Sequence, residues 1–257
     1  MSLVETRNLR VDLGGRNVLP DLSLMLPEHK ITVIVGPNAC GKSTLLRTMA
    51  RLVKPAAGTA YLDDKDVHDQ PSRDVARKLG LLPQQTLAPE GLSVRRLVER
   101  GRTPHLGPLR PMRESDRKAV DDALDSVGMR HNEDRPVAAL SGGQRQRAWL
   151  ALVLAQQTDV LLLDEPTTYL DLPHQIELLD LVKKLNHDTC RTVAMVLHDI
   201  NLASRVADHM IALRGGAVVA QGSPSNVVTE AGMKAVFDLD CRVISDPCRG
   251  TPMVVPL

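Results

Sequence analysis

The stretch Ile31 to Thr44 reads ITVIVGPNACGKST and places a short, mostly apolar run directly before a glycine-rich turn. Such a run is typical of a strand buried on both faces, as in a parallel sheet covered by helices. The turn fits the pattern G-x-x-x-x-G-K-[ST], in which consecutive backbone N–H groups at a helix start wrap phosphate groups. The stretch therefore predicts a strand, a phosphate-binding loop (P-loop) and a helix that begins at Lys42.

The P-loop supplies a set of candidate nucleotide-binding residues. Gly41 allows the backbone to approach a phosphate closely, Lys42 brings positive charge to the outer phosphates, and Ser43 offers a hydroxyl to Mg²⁺. Because many families share such a loop, it predicts nucleotide binding and leaves the reaction open. The candidate residues are Gly36, Pro37, Asn38, Ala39, Cys40, Gly41, Lys42, Ser43 and Thr44.

The remaining pattern favours an α/β fold. Val160 to Leu163 (VLLL) and Thr192 to Leu197 (TVAMVL) predict two more buried strands, and longer amphipathic segments separate the strands. Glycine pairs at 14–15 and 215–216 predict two antiparallel hairpins. Residues 89–154 show helical periodicity instead. We expect one domain, with a core from residues 1–88 and 155–257 and an inserted helical lobe from residues 89–154.

Composition and charge narrow the functions open to the chain. Its 257 residues include 32 Lys+Arg and 31 Asp+Glu, for a formal charge of +1, which gives no basic footprint for nucleic acid. No stretch is apolar for long enough to cross a bilayer, and no secretory signal is visible. The four cysteines lack metal-ligand spacing and are expected to be reduced thiols. We expect a cytosolic protein whose membrane role comes through partners.

Two carboxylates, Asp164 and Glu165, follow the VLLL strand. They are expected at the carboxyl end of the sheet, where α/β proteins place their chemistry. Asp164 is a candidate Mg²⁺ ligand, and Glu165 is a candidate catalytic base that polarises the attacking water. A solvated strand end followed by a turn at Pro166 is the alternative, and the upstream P-loop favours the catalytic interpretation.

His198 follows the third buried strand and is expected at the same edge of the sheet. A histidine in such a position is more often structural or merely exposed. The order of the three strands favours a catalytic role, in which a neutral imidazole hydrogen-bonds the γ-phosphate and orients Glu165.

A second phosphate-binding helix start lies at Leu140 to Gln146, which reads LSGGQRQ. Ser141 is expected to cap the helix, and Gly142 and Gly143 leave its first N–H groups open to an anion. One nucleotide cannot easily use both helix starts within a monomer, so the sequence predicts a head-to-tail dimer.

Together these motifs resemble those of ABC-type ATPases, and the resemblance covers almost the whole chain. It adds a Q-loop at Leu82-Pro83-Gln84 and a D-loop at Tyr169-Leu170-Asp171, and it makes Leu140–Gln146 the signature. It implies an α/β P-loop NTPase core with a RecA-like mixed sheet, an N-terminal antiparallel β subdomain and an inserted helical lobe.

The resemblance also implies a dimer that binds two ATP molecules with Mg²⁺. Each ATP would be held by one chain's P-loop and the other chain's signature, and Asp171 would lie at the dimer seam. Gln84 would touch Mg²⁺ together with Ser43 and Asp164. The signature residues that would act in trans are Ser141, Gly142, Gly143 and Gln144.

A narrower resemblance is to the iron–siderophore, haem and cobalamin importers, carried by GRTPH (Gly101–His105) and by DPCRGTPMVVP (Asp246–Pro256). The second segment is most similar to ferric-siderophore members. This implies a motor ATPase at the cytoplasmic face of the membrane, with permease subunits as partners and a substrate-binding protein as an indirect partner. Haem or cobalamin import, and a non-transport ABC ATPase, are the alternatives. Glu165 and His198 disfavour a regulator without turnover.

Two residues depart from the usual pattern of the family, and Cys40 and an arginine-rich group each have two interpretations. Leu13 stands near the place where many relatives carry an aromatic residue that stacks on adenine, which predicts weak base selectivity. Ala39 replaces a usual glycine, so its backbone is expected to suit a Cβ. Cys40 is either a reactive thiol or a small packed side chain. An arginine-rich group is either a solvated face or a contact for permease or lipid; it comprises Arg95, Arg96, Arg100, Arg102, Arg110 and Arg113.

Overall fold

The computed structural model describes residues 3–84, 89–107, 111–168 and 170–257. The described strands are β1 (Val4–Leu13), β2 (Arg16–Leu26), β3 (Ile31–Val35), β4 (Ala57–Leu62), β5 (Lys65–Asp66), β6 (Leu79–Leu82), β7 (Val160–Asp164), β8 (Thr192–Val196), β9 (His209–Arg214), β10 (Ala217–Gly222), β11 (Cys241–Ser245) and β12 (Pro252–Pro256). The described α-helices are α1 (Lys42–Met49), α2 (Ser72–Lys78), α3 (Val94–Glu99), α4 (Glu114–Ser126), α5 (Gly142–Ala155), α6 (Leu172–Thr189), α7 (Ile200–Val206), α8 (Pro224–Val227) and α9 (Glu230–Phe237).

The central sheet has the strand order β10-β9-β3-β8-β7-β6. It is parallel from β9 to β6, and β10 pairs antiparallel with β9 at one edge. Every residue of β3, β7 and β8 is buried, as the apolar runs predict. Because parallel strands point the same way, the P-loop, the acidic pair and His198 all emerge at the carboxyl edge of this sheet.

An antiparallel sheet with the order β2-β1-β4-β5 packs beside the central sheet. The two predicted hairpins are both present, β1 with β2 and β9 with β10. β4, β5, β6, β11 and β12 are not among the predicted strands. β4 and β5 contain no apolar run, and β4 begins with two exposed residues, whereas β6 reads LGLL, an apolar run of four residues that Gly80 interrupts.

Between residues 89 and 155 the described chain forms α3, α4, α5 and short 3₁₀ turns, with one isolated β-bridge from Ser93 to Pro136. The helical pattern of the sequence predicts helices over residues 93–100 and 115–127, and α3 and α4 match these ranges within one residue at each end. No helix in the described residues combines the length and apolar character needed to cross a membrane.

Two members of the arginine-rich group form ion pairs with carboxylates inside the helical lobe. This differs from both predicted alternatives, a solvated face and a contact for permease or lipid. Arg95 forms ion pairs with Asp121 at 2.7 Å and with Glu133 at 2.5 Å. Arg102 is 6% exposed and lies 2.9 Å from the buried carboxylate of Asp116. These carboxylates are 14 to 38 residues away along the chain, so sequence spacing does not reveal them. Arg110 lies outside the described residues.

The Arg102–Asp116 pair predicts a large stability effect. Arg102→Ala leaves the Asp116 carboxylate buried without its charged partner, which should reduce the free energy of unfolding by about 3–5 kcal/mol. Lys118→Ala is the matched control, since the Lys118–Asp122 pair is solvent-exposed and should contribute less than about 1 kcal/mol. Urea unfolding of the three proteins measures both values, and equal losses for the two variants would contradict the assignment.

Candidate nucleotide-binding site

Two glycines of the P-loop are required by close neighbours. Gly36 has φ +150°, and a Cβ there would lie 2.1 Å from the carbonyl oxygen of Leu213 on β9. Gly41 has φ +100°, and a Cβ there would lie 2.6 Å from Leu19 on β2. Gly36 therefore needs glycine for space as well as for conformation, because its neighbour is backbone, whereas Gly41 needs glycine mainly for its positive φ. The loop is pressed between the central sheet and the N-terminal hairpin.

Lys42 is held inside the P-loop. Its side chain is almost fully buried, and its Nζ donates hydrogen bonds to the carbonyl oxygens of Gly36 at 2.9 Å and Pro37 at 2.8 Å. Cys40 is 5% exposed and belongs to the core cluster that contains Leu45 and Leu46. The Cys40 side chain is therefore packed, and its reactivity stays a prediction.

Ala39 departs from the expectation that its backbone suits a Cβ. Its φ is +60°, in the left-handed region that alanine rarely adopts. The penalty is about 1–2 kcal/mol for an L-residue. Ala39 lines a cavity, and the course of the loop around this cavity overrides the local preference of alanine.

Asp164 is fully buried at the end of β7. Its Oδ1 accepts a hydrogen bond of 2.6 Å from the Ser43 hydroxyl, and its Oδ2 lies 3.5 Å from the Arg47 guanidinium. Oδ2 has no hydrogen-bond partner in the described residues. Burial raises the pKa of Asp164 above its ordinary value, against the opposing effects of Ser43 and Arg47. The site therefore holds a buried carboxylate oxygen that lacks a donor.

Glu165 is held by three side chains. Its Oε1 lies 2.8 Å from His198 Nε2, while its Oε2 accepts hydrogen bonds from Gln84 at 2.7 Å and from Thr168 at 3.1 Å. Burial acts to raise the pKa of Glu165, but hydrogen bonds and the charge of His198 outweigh it, so the pKa is lowered. Glu165 also has φ +53°, a strained conformation of the kind found at functional sites.

These residues border a cavity of about 670 Å³. Two lining residues, Val18 and Thr168, are not among the predicted site residues. The hydroxyl three residues after Glu165 was an available signal for Thr168, whereas an apolar residue on β2 gives none for Val18. Leu13 is 42% exposed and is not among the described lining residues. The lining comprises Val18, Asn38, Ala39, Cys40, Gly41, Lys42, Ser43, Thr44, Gln84, Glu165, Thr168 and His198.

The signature and D-loop residues begin two helices elsewhere on the surface. Ser141 caps α5 as predicted, accepting a 3.3 Å hydrogen bond from the Gln144 N–H, while the Gln144 side chain accepts from the Ser141 N–H at 3.2 Å. Asp171 caps α6 through the His174 N–H. None of these residues is among the described lining of the cavity. Tyr169 of the predicted D-loop lies outside the described residues.

Comparison with known protein sequences identifies the family of this chain. Residues 19–168 match the sequence model of the ABC transporter family. The full chain is 48% identical to the achromobactin transport ATP-binding protein CbrD of Dickeya dadantii (strain 3937) and covers 95% of it. It is also 48% identical to the ferric enterobactin transport ATP-binding protein FepC of Escherichia coli (strain K12), over 97% of this chain and 92% of FepC. The chain therefore belongs to the ABC transporter family, as one of its ATP-hydrolysing subunits.

A solved structure agrees with the fold. The dimeric ATP-binding cassette MJ0796 in a post-hydrolysis state, bound to ADP and phosphate, matches with a TM-score of 0.75 and 29% sequence identity. The match covers 86% of this chain and 98% of that one. The predicted fold class, an α/β nucleotide-binding core with an N-terminal antiparallel sheet and inserted helices, is confirmed.

The burial of Asp164 gives a prediction with a defined sign. A carboxyl with a raised pKa contributes to stability below its unfolded pKa of about 3.9, and the contribution is lost as the pH rises through the raised value. The Asp164→Asn variant does not lose stability in this way, because its amide does not ionise. Its free energy of unfolding, relative to the parent, should therefore increase between about pH 4 and about pH 7.

Urea unfolding without nucleotide and with a metal chelator measures this difference. Asp122→Asn is the control, because the Asp122 side chain is 57% exposed. The prediction concerns the free energy of unfolding of Asp164→Asn minus that of the parent. If this difference stays constant or falls as the pH rises, burial does not raise the pKa of Asp164.

Proposed function

We propose that the chain is the ATP-hydrolysing motor of an importer for ferric siderophores. The observation that carries the ATPase chemistry is Glu165, fixed by His198, Gln84 and Thr168 at the edge of the cavity that the P-loop lines. The cargo class follows from the full-length similarity to transport proteins named for achromobactin and ferric enterobactin. The ATPase subunit itself has no need to touch the cargo.

We assign Mg²⁺ to the group formed by Ser43, Asp164 and Gln84. These side chains offer hydroxyl, carboxylate and amide oxygens, the donor types that Mg²⁺ prefers. The buried Asp164 Oδ2 without a hydrogen-bond partner fits a site for a cation or its water ligand. When bound with ATP, Mg²⁺ neutralises charge on the outer phosphates.

Glu165 is the proposed base for hydrolysis. Its lowered pKa keeps the carboxylate ionised near neutral pH, so that it can accept a hydrogen bond from the attacking water. His198 fixes one carboxylate oxygen, while Gln84 and Thr168 fix the other. Lys42 is already directed toward the carbonyls of the P-loop and supplies positive charge to the phosphates. These contacts hold both carboxylate oxygens of the proposed base in place.

The signature is proposed to act on the nucleotide of a second copy of this chain. Ser141 and Gly142 are exposed, and no signature residue is among the described lining of the chain's own cavity. Exposed N–H groups at the start of α5 are suited to binding a phosphate. The similarity to a cassette that forms a dimer supports dimerisation here, and the head-to-tail arrangement is part of the proposal.

The membrane association is proposed to come from permease subunits. The chain would work at the cytoplasmic face of the membrane, with a substrate-binding protein as an indirect partner and no nucleic acid. The helical lobe of residues 89–154, inserted between the two parts of the core, is the proposed docking side. ATP binding and hydrolysis would then open and close the dimer and drive the permease.

Glu165→Gln should separate binding from hydrolysis. The amide keeps the size of the side chain but cannot act as a base, so the hydrolysis rate should fall by about 10²–10⁴-fold while ATP binding is retained. Glu230→Gln is the control, because Glu230 lies on α9 in an exposed pair with Arg242. Phosphate release and equilibrium binding of ATP measure the two effects.

Uptake of iron supplied as a ferric siderophore tests the transport step. Cells that carry only Glu165→Gln should lose this uptake, and cells with Glu230→Gln should keep it. If purified Glu165→Gln hydrolyses ATP at the parent rate, the assignment of the base is wrong. If hydrolysis is lost but ferric-siderophore uptake is unchanged, the ATPase assignment stands and the cargo assignment fails.

A further inference from the structure

His174 connects two segments that the proposed dimer uses. A Cβ built on Gly143 would lie 3.2 Å from Cδ2 and 3.5 Å from Cγ of the His174 imidazole. The ring therefore lies against the signature backbone at Gly143, in a space that alanine would crowd. Sequence spacing does not predict this contact, because 31 residues separate Gly143 from His174.

The same imidazole is bound to the D-loop. His174 Nδ1 pairs with the Asp171 carboxylate, and the His174 N–H donates to Asp171 Oδ1 at 3.3 Å. The hydrogen bond from the His174 side chain lowers the pKa of Asp171, so the carboxylate stays ionised as a cap of α6. The orientation of the ring is thus fixed from the D-loop side.

A second contact lies about one helical turn further along both helices. Arg147, four residues after Gly143 on α5, forms an ion pair with Glu177, three residues after His174 on α6. Residues at these spacings share one face of a helix. The beginnings of α5 and α6 are therefore joined by two side-chain contacts, one at the exposed end and one behind it.

We propose that His174 is a positioning residue that fixes the D-loop carboxylate of Asp171 relative to the signature at Gly143. The proposal rests on the sandwich dimer of the proposed function, in which both segments must meet the partner at the same time. Holding them in a fixed relation before association reduces the loss of conformational freedom when the dimer forms. His174 does not line the cavity of its own chain, so its effect is on dimerisation and turnover, with ATP binding to the monomer left intact.

Three substitutions at this position separate the two contacts. His174→Ala removes both, His174→Asn keeps a donor for Asp171 without the ring, and His174→Phe keeps a ring over Gly143 without the donor. In a Glu165→Gln background, His174→Ala should weaken ATP-dependent dimerisation by about tenfold, equivalent to about 1.4 kcal/mol. With Glu165 intact it should lower kcat about tenfold while the affinity of the monomer for ATP is unchanged. His174→Asn and His174→Phe should each recover part of the loss.

His187→Ala is the matched control. His187 lies on the same helix and also beside an aspartate, Asp188, but its side chain is 88% exposed at the far end of α6. Dimerisation, measured by light scattering with and without ATP, should equal that of the parent. Retained ATP binding to the monomer shows in each variant that the fold is intact.

Full recovery by His174→Asn alone, or by His174→Phe alone, would overturn the proposal, because one contact would then suffice. Parent-like dimerisation of His174→Ala would also overturn it. Ser141→Arg, also made in the Glu165→Gln background, tests the sandwich dimer itself. It distinguishes an error in the role of His174 from an error in the proposed dimer. If Ser141→Arg blocks the ATP-dependent dimer and His174→Ala does not, only the role of His174 is wrong. If neither variant affects dimerisation, the sandwich and the role of His174 both fail.

Discussion

The hydrogen bond from Ser43 to Asp164 depends on the register of three parallel strands. Ser43 follows β3 and Asp164 ends β7, while β8 lies between these strands in the sheet. Asp164 is aligned with Val196 of β8, and His198 comes two residues later, within reach of Glu165. A shift of β7 by one residue would turn Asp164 to the opposite face of the sheet. The proposed Mg²⁺ site, the proposed base and its histidine therefore all depend on one alignment of the fully buried strands β3, β7 and β8.

The same site combines features that are unfavourable for stability. Lys42 and Asp164 are charged residues in a buried position, Ala39 and Glu165 have left-handed backbones, and Asp164 has an oxygen without a donor. Each of these opposes folding unless surrounding structure compensates. The compensation comes from two large apolar clusters that flank the central sheet, and from the glycines that let the loop pass close to β9 and β2. Nucleotide chemistry is thus supported by packing that takes no part in it.

The sequence was sufficient for the parts of the fold that local patterns encode. Fully apolar strands, glycine turns and the Ser141 cap are all local signals, and the structure confirms each of them. It was insufficient where distant residues decide the outcome. The left-handed Ala39 depends on the path of the whole loop, and the burial of Arg102 depends on Asp116 in another element. β4 begins with two exposed residues, and its sequence does not predict a strand. Its place in the sheet comes from pairing with β1.

In the candidate site, too, some residues follow from local sequence patterns and others depend on distant parts of the chain. The residues of the P-loop, the acidic pair and His198 could be placed at one edge from strand order alone, and the structure brings them to one cavity or directly behind it. The contact of Gln84 with Glu165 has no local signal in the sequence, because the two residues are 81 positions apart, whereas Thr168 lies only three residues after Glu165. The roles of the signature and D-loop in a dimer come from resemblance, because a single chain places them outside the cavity.

Mixing two inactive variants tests the composite site most directly. Lys42→Ala disables the P-loop and leaves the signature intact, whereas Ser141→Arg disables the signature and leaves the P-loop intact. In a twofold-symmetric sandwich, a dimer of one chain of each kind contains one complete site, so the mixture should regain up to about a quarter of the parent ATPase activity. Recovery that depends on the presence of both proteins supports action in trans. An activity equal to the average of the two separate variants would contradict it.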